Sequence, residues 1–413
     1  MTIDATKTKK SFVIEWILVL IILSQNHPWF LWPNSYIFSV ILIGVLFFLC
    51  ASRLSSISVN CNFLAISSLT IILLLFFCVY ASLQTFRTSS FISIAVFVLV
   101  FALNKGEKLK ALDKLTTLLT LIVFLSIVAR VTNEYFFSLP HSPLSYPDGK
   151  GDIPDLGIKN FFLYIEPAGL AGNRLYSIFD EPGTLGTLVA FMLVGNNFNF
   201  RDVRNLVLLL GGILTFSLAF FIISAFGFFL LRLGSPLKMA KGVLLLVLAV
   251  LGSVIFFWDN DAFRIIVIDR IAGLFVFGLE SRSPPVLDVF FSDYIISLDA
   301  LLGMGTNFHL ENPTIFLGQS YKLFLIEYGF VGLFLVFSLY FCLILRDWKI
   351  GLVCLAVFFV SFLQRPFLFT PWQILLFSMV FESLLFVKSS SFGLYRGNYT
   401  VAQNYQWRKR EKL

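Results

Sequence analysis

Apolar residues in this chain do not alternate with polar ones. They form unbroken runs of helix length, separated by short polar punctuation. Such runs lie near 12–31, 35–51, 63–83, 88–103, 114–131, 183–198, 204–217, 218–233, 241–258, 322–345, 350–363 and 371–387. A run of about 20 apolar residues suits one helical crossing of a bilayer. The bilayer interior satisfies no open backbone group, so such runs must be helices. None shows the alternation of a membrane barrel. The expected fold is all-α: a polytopic integral membrane protein of about 12 transmembrane helices, with two long external loops that carry short helices. The stretch 205–234 is ambiguous, too long for one ordinary span and short for two. Read as one tilted helix, it gives eleven spans and reverses everything after it.

Charge arbitrates. With twelve spans, about two thirds of the 31 Lys and Arg fall on the cytoplasmic side, as the positive-inside rule requires. With eleven, the tail Arg408-Lys409-Arg410 falls outside. The expected organisation is a five-span N-terminal bundle (1–131), a first long loop (132–182), central spans (183–258), a second long loop (259–321), C-terminal spans (322–387) and a basic cytoplasmic tail (388–413).

Composition agrees. Of 413 residues, 58% are hydrophobic and 13% charged, against about 25% charged in soluble domains. The net charge of +7 is dispersed between apolar runs rather than gathered in a patch, which argues against nucleic acid as a partner. Cys50, Cys61, Cys78, Cys342 and Cys354 lie in or beside spans and form neither a disulfide framework nor a metal spacing. Lys7, Lys9 and Lys10 precede the first run without a small-residue cleavage site, which reads as an uncleaved anchor.

The first long loop holds Pro140, Pro143, Pro147 and Pro154 and reads as mostly irregular. In the second, Pro284-Pro285 opens a helix-like stretch to Leu302, with Asp288, Ser292 and Asp299 on one face. It is either a helix on the membrane surface or a short helix buried under the loop. Long loops tend to be functional or disordered. These are rich in Phe, Ile and Leu, so they are expected to cap an outer cavity.

Candidate chemistry collects in these loops. Asp180 can cap the helix entered at Pro182. Glu181 then meets the positive end of a helix dipole, which favours its ionised form and an orienting role. One reading of this segment is capping alone; in the other, Glu181 holds an arginine or a sugar hydroxyl. Arg174, Arg264, Arg270 and Arg282 are the external arginines. Arginine's planar fork, always charged, suits phosphate, although surface pairing with nearby Asp and Glu is the plainer reading of any one of them. His309 is a structural residue or a base. Glu327 lies near the outer end of a span; Glu15 and Glu382 lie within others, where carboxylates are costly.

Three segments resemble the O-antigen and polysaccharide polymerase (Wzy-like) and O-antigen ligase superfamily. The first is Arg174 followed by Phe179-Asp180-Glu181-Pro182 entering a helix. The second is Leu302-Gly303-Met304-Gly305 after an arginine-bearing loop. The third is Ser320-Tyr321 leading to Glu327-Tyr328-Gly329-Phe330-Val331-Gly332 at the start of a late span. The ligases carry His-Asn just before Ser-Tyr, where this chain has Gly318-Gln319. Many members carry Ser-Arg in a middle span, where Ser217 is followed here by Leu218.

The resemblance implies a glycosyltransferase in the inner membrane of a bacterial cell, with both termini cytoplasmic and the active site on the periplasmic face. It would polymerise repeat units for O-antigen lipopolysaccharide, capsule or exopolysaccharide. Its substrate would be an oligosaccharide linked to undecaprenyl pyrophosphate; membrane lipid, and at most a chain-length regulator, would be its other partners. Arg174, Arg264, Arg270, Arg282 and Glu327 would bind pyrophosphate and sugar. Glu181 and His309 would serve the reacting hydroxyl. No cofactor or metal is required, because arginines can do the electrostatic work. The alternatives are a ligase passing chains to another lipid, a flippase-type transporter, and a polyprenyl-phosphate-sugar transferase. The last usually wants acidic residues in the first external loop, and 25–35 holds none.

Overall fold

The computed structural model describes residues 5–54, 68, 71–72, 88–144, 157–167, 174–232, 285–305, 308, 312 and 321–392. The expected span at 241–258 lies outside these residues, as does nearly all of that at 63–83. The protein is mostly helical, and four helical segments, 29–51, 105–135, 321–363 and 371–389, are long and apolar enough to cross a membrane. Two compact units interleave along the chain. One comprises Met1–Leu42, Lys105–Ala272 and Glu382–Leu413, the other Ile43–Asn104 and Gly273–Phe381.

The first unit is built on α1 (Ala5–Gln25), a 3-10 turn (Trp29–Asn34), the start of α2 (Ser35–Leu54) and α4 (Lys105–Tyr135), with α3 (Thr88–Ala102) belonging to the second unit. α1 and α4 lie side by side, pinned by the buried Glu15, which pairs with Lys114 at 2.7 Å and Lys110 at 3.4 Å. Lys114 also sits 3.9 Å from the Phe12 ring centre. Glu15, one of the costly carboxylates, therefore serves helix packing.

α5 (Pro182–Gly195) is apolar on every side and buried along its whole length, as a helix without a polar face must be. The ambiguous stretch resolves into two helices, α6 (Val203–Leu214) and α7 (Leu218–Arg232). They form a hairpin along α5. Gly186, in the first turns of α5, lies against Thr215, Ser217 and Phe220 at the hairpin tip. At the other end of α5, Asn197 accepts from Arg232 at 2.9 Å. Both helices are short, at roughly 18 and 22 Å.

The first long loop is less irregular than expected. It carries a three-stranded antiparallel sheet, β1 (Ser142–Leu144), β2 (Ile158–Asn160) and β3 (Ile165–Pro167), with Lys159 opposite Glu166. Ile158 and Ile165 pack on Trp32 and Tyr176.

The second unit contains α3, α8 (Pro285–Tyr294), α9 (Asp299–Leu302), α10 (Tyr321–Ile344), α11 (Trp348–Gln364) and most of α12 (Pro371–Phe392). α10 and α11 are an antiparallel hairpin about Leu345–Asp347: Phe324 packs edge-on to Phe362, Phe337 to Phe359, and Gly351 lies on Ile344. Tyr340, fully buried between Phe97 and Phe377, donates to Leu368 O at 2.7 Å. The helix expected up to Leu302 is interrupted by a turn at 295–298, where Ser297 Oγ donates to Tyr294 O at 2.7 Å.

Candidate functional site

In the first unit, the 174–181 segment is laid across the tip of the α6–α7 hairpin. The last carbonyls of a helix have no partner within it. Here the segment supplies them: Leu175 N donates to Leu214 O at 2.9 Å, Arg174 Nε to Thr215 O at 2.9 Å, and Arg174 Nη2 to Phe216 O at 3.5 Å. The cation also complements the negative end of the α6 dipole. Arg174 thus holds a helix corner as well as bringing charge to it.

Tyr176 is buried beside Arg174, Asp180 and Glu181. Burial pushes its phenol above the usual range. The Arg174 charge opposes that shift, and the Glu181 and Asp180 carboxylates add to it. Asp180 is buried and Glu181 half-buried. The N-cap of α5 is Glu181 in extended backbone, with no side-chain cap bond. This corrects the expectation that Asp180 caps the helix: with Pro182 at the first helical position, the cap falls on Glu181.

Sequence gave no signal for Ser177. It is fully buried in left-handed backbone with φ 55°, a conformation costing of order 1 kcal/mol or more that surrounding contacts must impose. Ser126 of α4 lies within reach of Leu163 O at 2.8 Å, Ile122 O at 2.7 Å and Ser177 Oγ at 2.7 Å. The two hydroxyls share one hydrogen bond, in which either can donate.

In the second unit, two of the sequence motifs meet. α10 is broken at Gly329, with φ 63° and ψ −176°. The break takes the carbonyls of Ile326 and Glu327 off their helical partners. They accept instead from Met304 N at 2.7 Å and Gly305 N at 3.2 Å. Gly303, with φ 83°, faces Gly329. A Cβ on Gly303 would stand 2.5 Å from Glu327 O, and one on Gly329 the same distance from Leu301 O. Only glycine tolerates both the backbone angles and the approach.

Glu327 lies at this break, 6% exposed. Around it, Tyr294 Oη donates to Leu325 O at 2.8 Å, and the Tyr328 hydroxyl is 3.0 Å from Ser90 Oγ. Burial and the Asp299 carboxylate push the Tyr294 phenol up to about 12. Lys322, buried under the Phe291 ring, donates to Asp288 Oδ1 at 2.6 Å and fastens α8 to α10.

Of the residues expected from sequence, Arg174 and Glu181 come together in the first unit, and Glu327 marks the helix break in the second. Arg264, Arg270, Arg282 and His309 lie outside the described residues. Among the described residues, no group of three His, Cys, Asp or Glu is placed to hold a metal ion. No protein-family model matches the chain, and no curated protein matches it in sequence. Several apolar helices, four of the segments long enough to cross a membrane, are the pattern of an α-helical membrane protein.

Proposed function

We propose that the protein is a polymerase of lipid-linked oligosaccharide repeat units, with twelve spans, both termini in the cytoplasm of a bacterial cell and its site at the periplasmic face of the inner membrane. One observation carries the reading. The Gly303-Met304-Gly305 turn and the 326–329 segment, distant in sequence and each part of the motif resemblance, are bonded backbone to backbone at a helix break that carries the buried Glu327. Broken backbone near membrane depth is tolerated where it is buried in protein or lines a water-filled cavity.

In the proposed reaction, a hydroxyl of the incoming lipid-linked repeat attacks the anomeric carbon of the growing chain. The new glycosidic bond forms as the bond to undecaprenyl pyrophosphate breaks. The hydroxyl proton passes to a carboxylate or to His309. Arg264, Arg270 and Arg282 neutralise the departing pyrophosphate, together with the charge of Arg174, where partial dehydration makes such contacts strong. Glu181 and Glu327 orient sugar hydroxyls.

Deletion and complementation test this. Loss of the protein is expected to leave single repeats on the acceptor lipid. Arg282→Ala and Glu327→Gln, inserted at normal levels, are expected to do the same. Loss of all attached glycan on deletion would indicate a ligase. Normal chain-length ladders from both variants would remove the site assignment.

A further inference from the structure

Among the described residues of the second unit, the turn joining α8 to α9 carries the most exposed aliphatic side chains. Ile296 is 85% exposed and Leu298 84%, with Leu301 and Leu302 about half exposed beside them. The opposite face of the same element is core: Leu287, Phe291, Tyr294 and Ala300 pack on Leu325 and Ile326. The turn is therefore held firmly while presenting an apolar ledge outward.

Its depth follows from its anchors. Tyr294 Oη bonds Leu325 O, Met304 N bonds Ile326 O, and Gly305 N bonds Glu327 O. The ledge thus stands level with 325–327 of α10. α10 runs down to the hairpin turn containing Arg346, with Lys349 just beyond it. At 1.5 Å per residue, the unbroken helix from Phe330 to Ile344 rises roughly 21 Å, and the segment across the break at Gly329 and the turn at Leu345–Asp347 extend this toward the roughly 30 Å of the hydrocarbon core. With Arg346 and Lys349 at one membrane surface, the ledge meets the hydrocarbon edge of the other. Ser292, Asp293 and Asp299, exposed on the same element, suit the adjoining headgroup layer.

We propose that the 295–302 ledge is an interfacial element embedded in the leaflet opposite Arg346 and Lys349, with the acyl chains of ordinary membrane phospholipid as its occupant. It anchors the Gly303–Gly329 contact at a fixed depth. This does not rest on the glycan polymerase reading.

The test uses the full chain in phospholipid nanodiscs, with the five cysteines replaced by alanine. Nitroxide labels are placed at Ile296→Cys and, separately, Leu298→Cys. Both labels are expected to show accessibility to oxygen several-fold above that to a water-soluble nickel chelate, unchanged when polyprenyl phosphate is added. Nickel-dominated accessibility at both sites would overturn the proposal. So would a loss of oxygen accessibility on adding polyprenyl phosphate, which would make the ledge a carrier-lipid site. In the unsubstituted chain, a phospholipid with a diazirine high on its acyl chain is expected to crosslink to the peptide holding 295–302; labelling confined to other peptides also overturns it.

Discussion

Replacing Gly329 with alanine puts a methyl group into the contact that joins α9 to α10. The added Cβ would lie 2.5 Å from Leu301 O and 2.6 Å from Gly303 N. The backbone, at φ 63° and ψ −176°, sits in a region almost restricted to glycine, at a cost of about 1–3 kcal/mol for another residue. Relief of the clash separates the 301–305 turn from α10, and the Met304–Ile326 and Gly305–Glu327 bonds go with it. Each buried bond lost adds about 1 kcal/mol, more if its carbonyl stays dry. The sum is about 3–6 kcal/mol. Reversible unfolding in mixed detergent micelles measures it. Gly303→Ala attacks the same contact, so the double variant is expected to cost little more than either single one. Gly44→Ala is the control: nothing lies within 4 Å of its added Cβ inside α2, and a gain of up to about 1 kcal/mol is expected. A Gly329→Ala protein within about 0.5 kcal/mol of the unsubstituted chain refutes the reasoning.

Three further outcomes are expected. Asp288→Ala leaves the buried Lys322 ammonium without its 2.6 Å partner and is expected to cost about 2–3 kcal/mol in the same unfolding assay, more than Lys322→Met; the reverse order contradicts the ion-pair account. Arg174→Lys keeps the charge but cannot fork between Thr215 O and Phe216 O, so it is expected to lower stability by about 1–3 kcal/mol and, on the proposed function, to shorten glycan chains; a lysine variant normal in both assays contradicts it. The Tyr294 phenol, pushed up to about 12, favours the folded state in its neutral form. Its contribution is full below about pH 10, where the unfolded phenol is still neutral, and is lost as pH rises from there toward 12. Tyr294→Phe is expected to flatten that alkaline decline, and an unchanged stability–pH profile counts against it.

Much of the helical frame was legible because apolar runs are interrupted by charge. The runs at 322–345 and 350–363 correspond to α10 and α11, parted by Arg346-Asp347. Pro371 announces α12. The strands of the first loop were not legible: at three residues each, two of them containing a proline, they are too short for a period of two to be read from sequence. The glycines of the α9–α10 contact were visible as a motif, but not the fact that they face each other, since that depends on which carbonyls the break at Gly329 leaves open. Arg174 was read as a phosphate ligand or a surface ion-pair partner, and not as the cap of a helix end, because its partners lie 41 residues away, at a helix end whose vacant carbonyls no local pattern reveals. Asp180 was misplaced by one residue because the position of Pro182 within the first turn, not the residue type, decides the cap.

The most direct measurement is a reaction with purified components. The full chain in nanodiscs is supplied with its host's oligosaccharide repeat on undecaprenyl pyrophosphate and nothing else. The account predicts a ladder of repeat multiples, each on a single lipid carrier, with free undecaprenyl pyrophosphate released in step. Unchanged single repeats, or glycan moved intact across the bilayer without new glycosidic bonds, would contradict it.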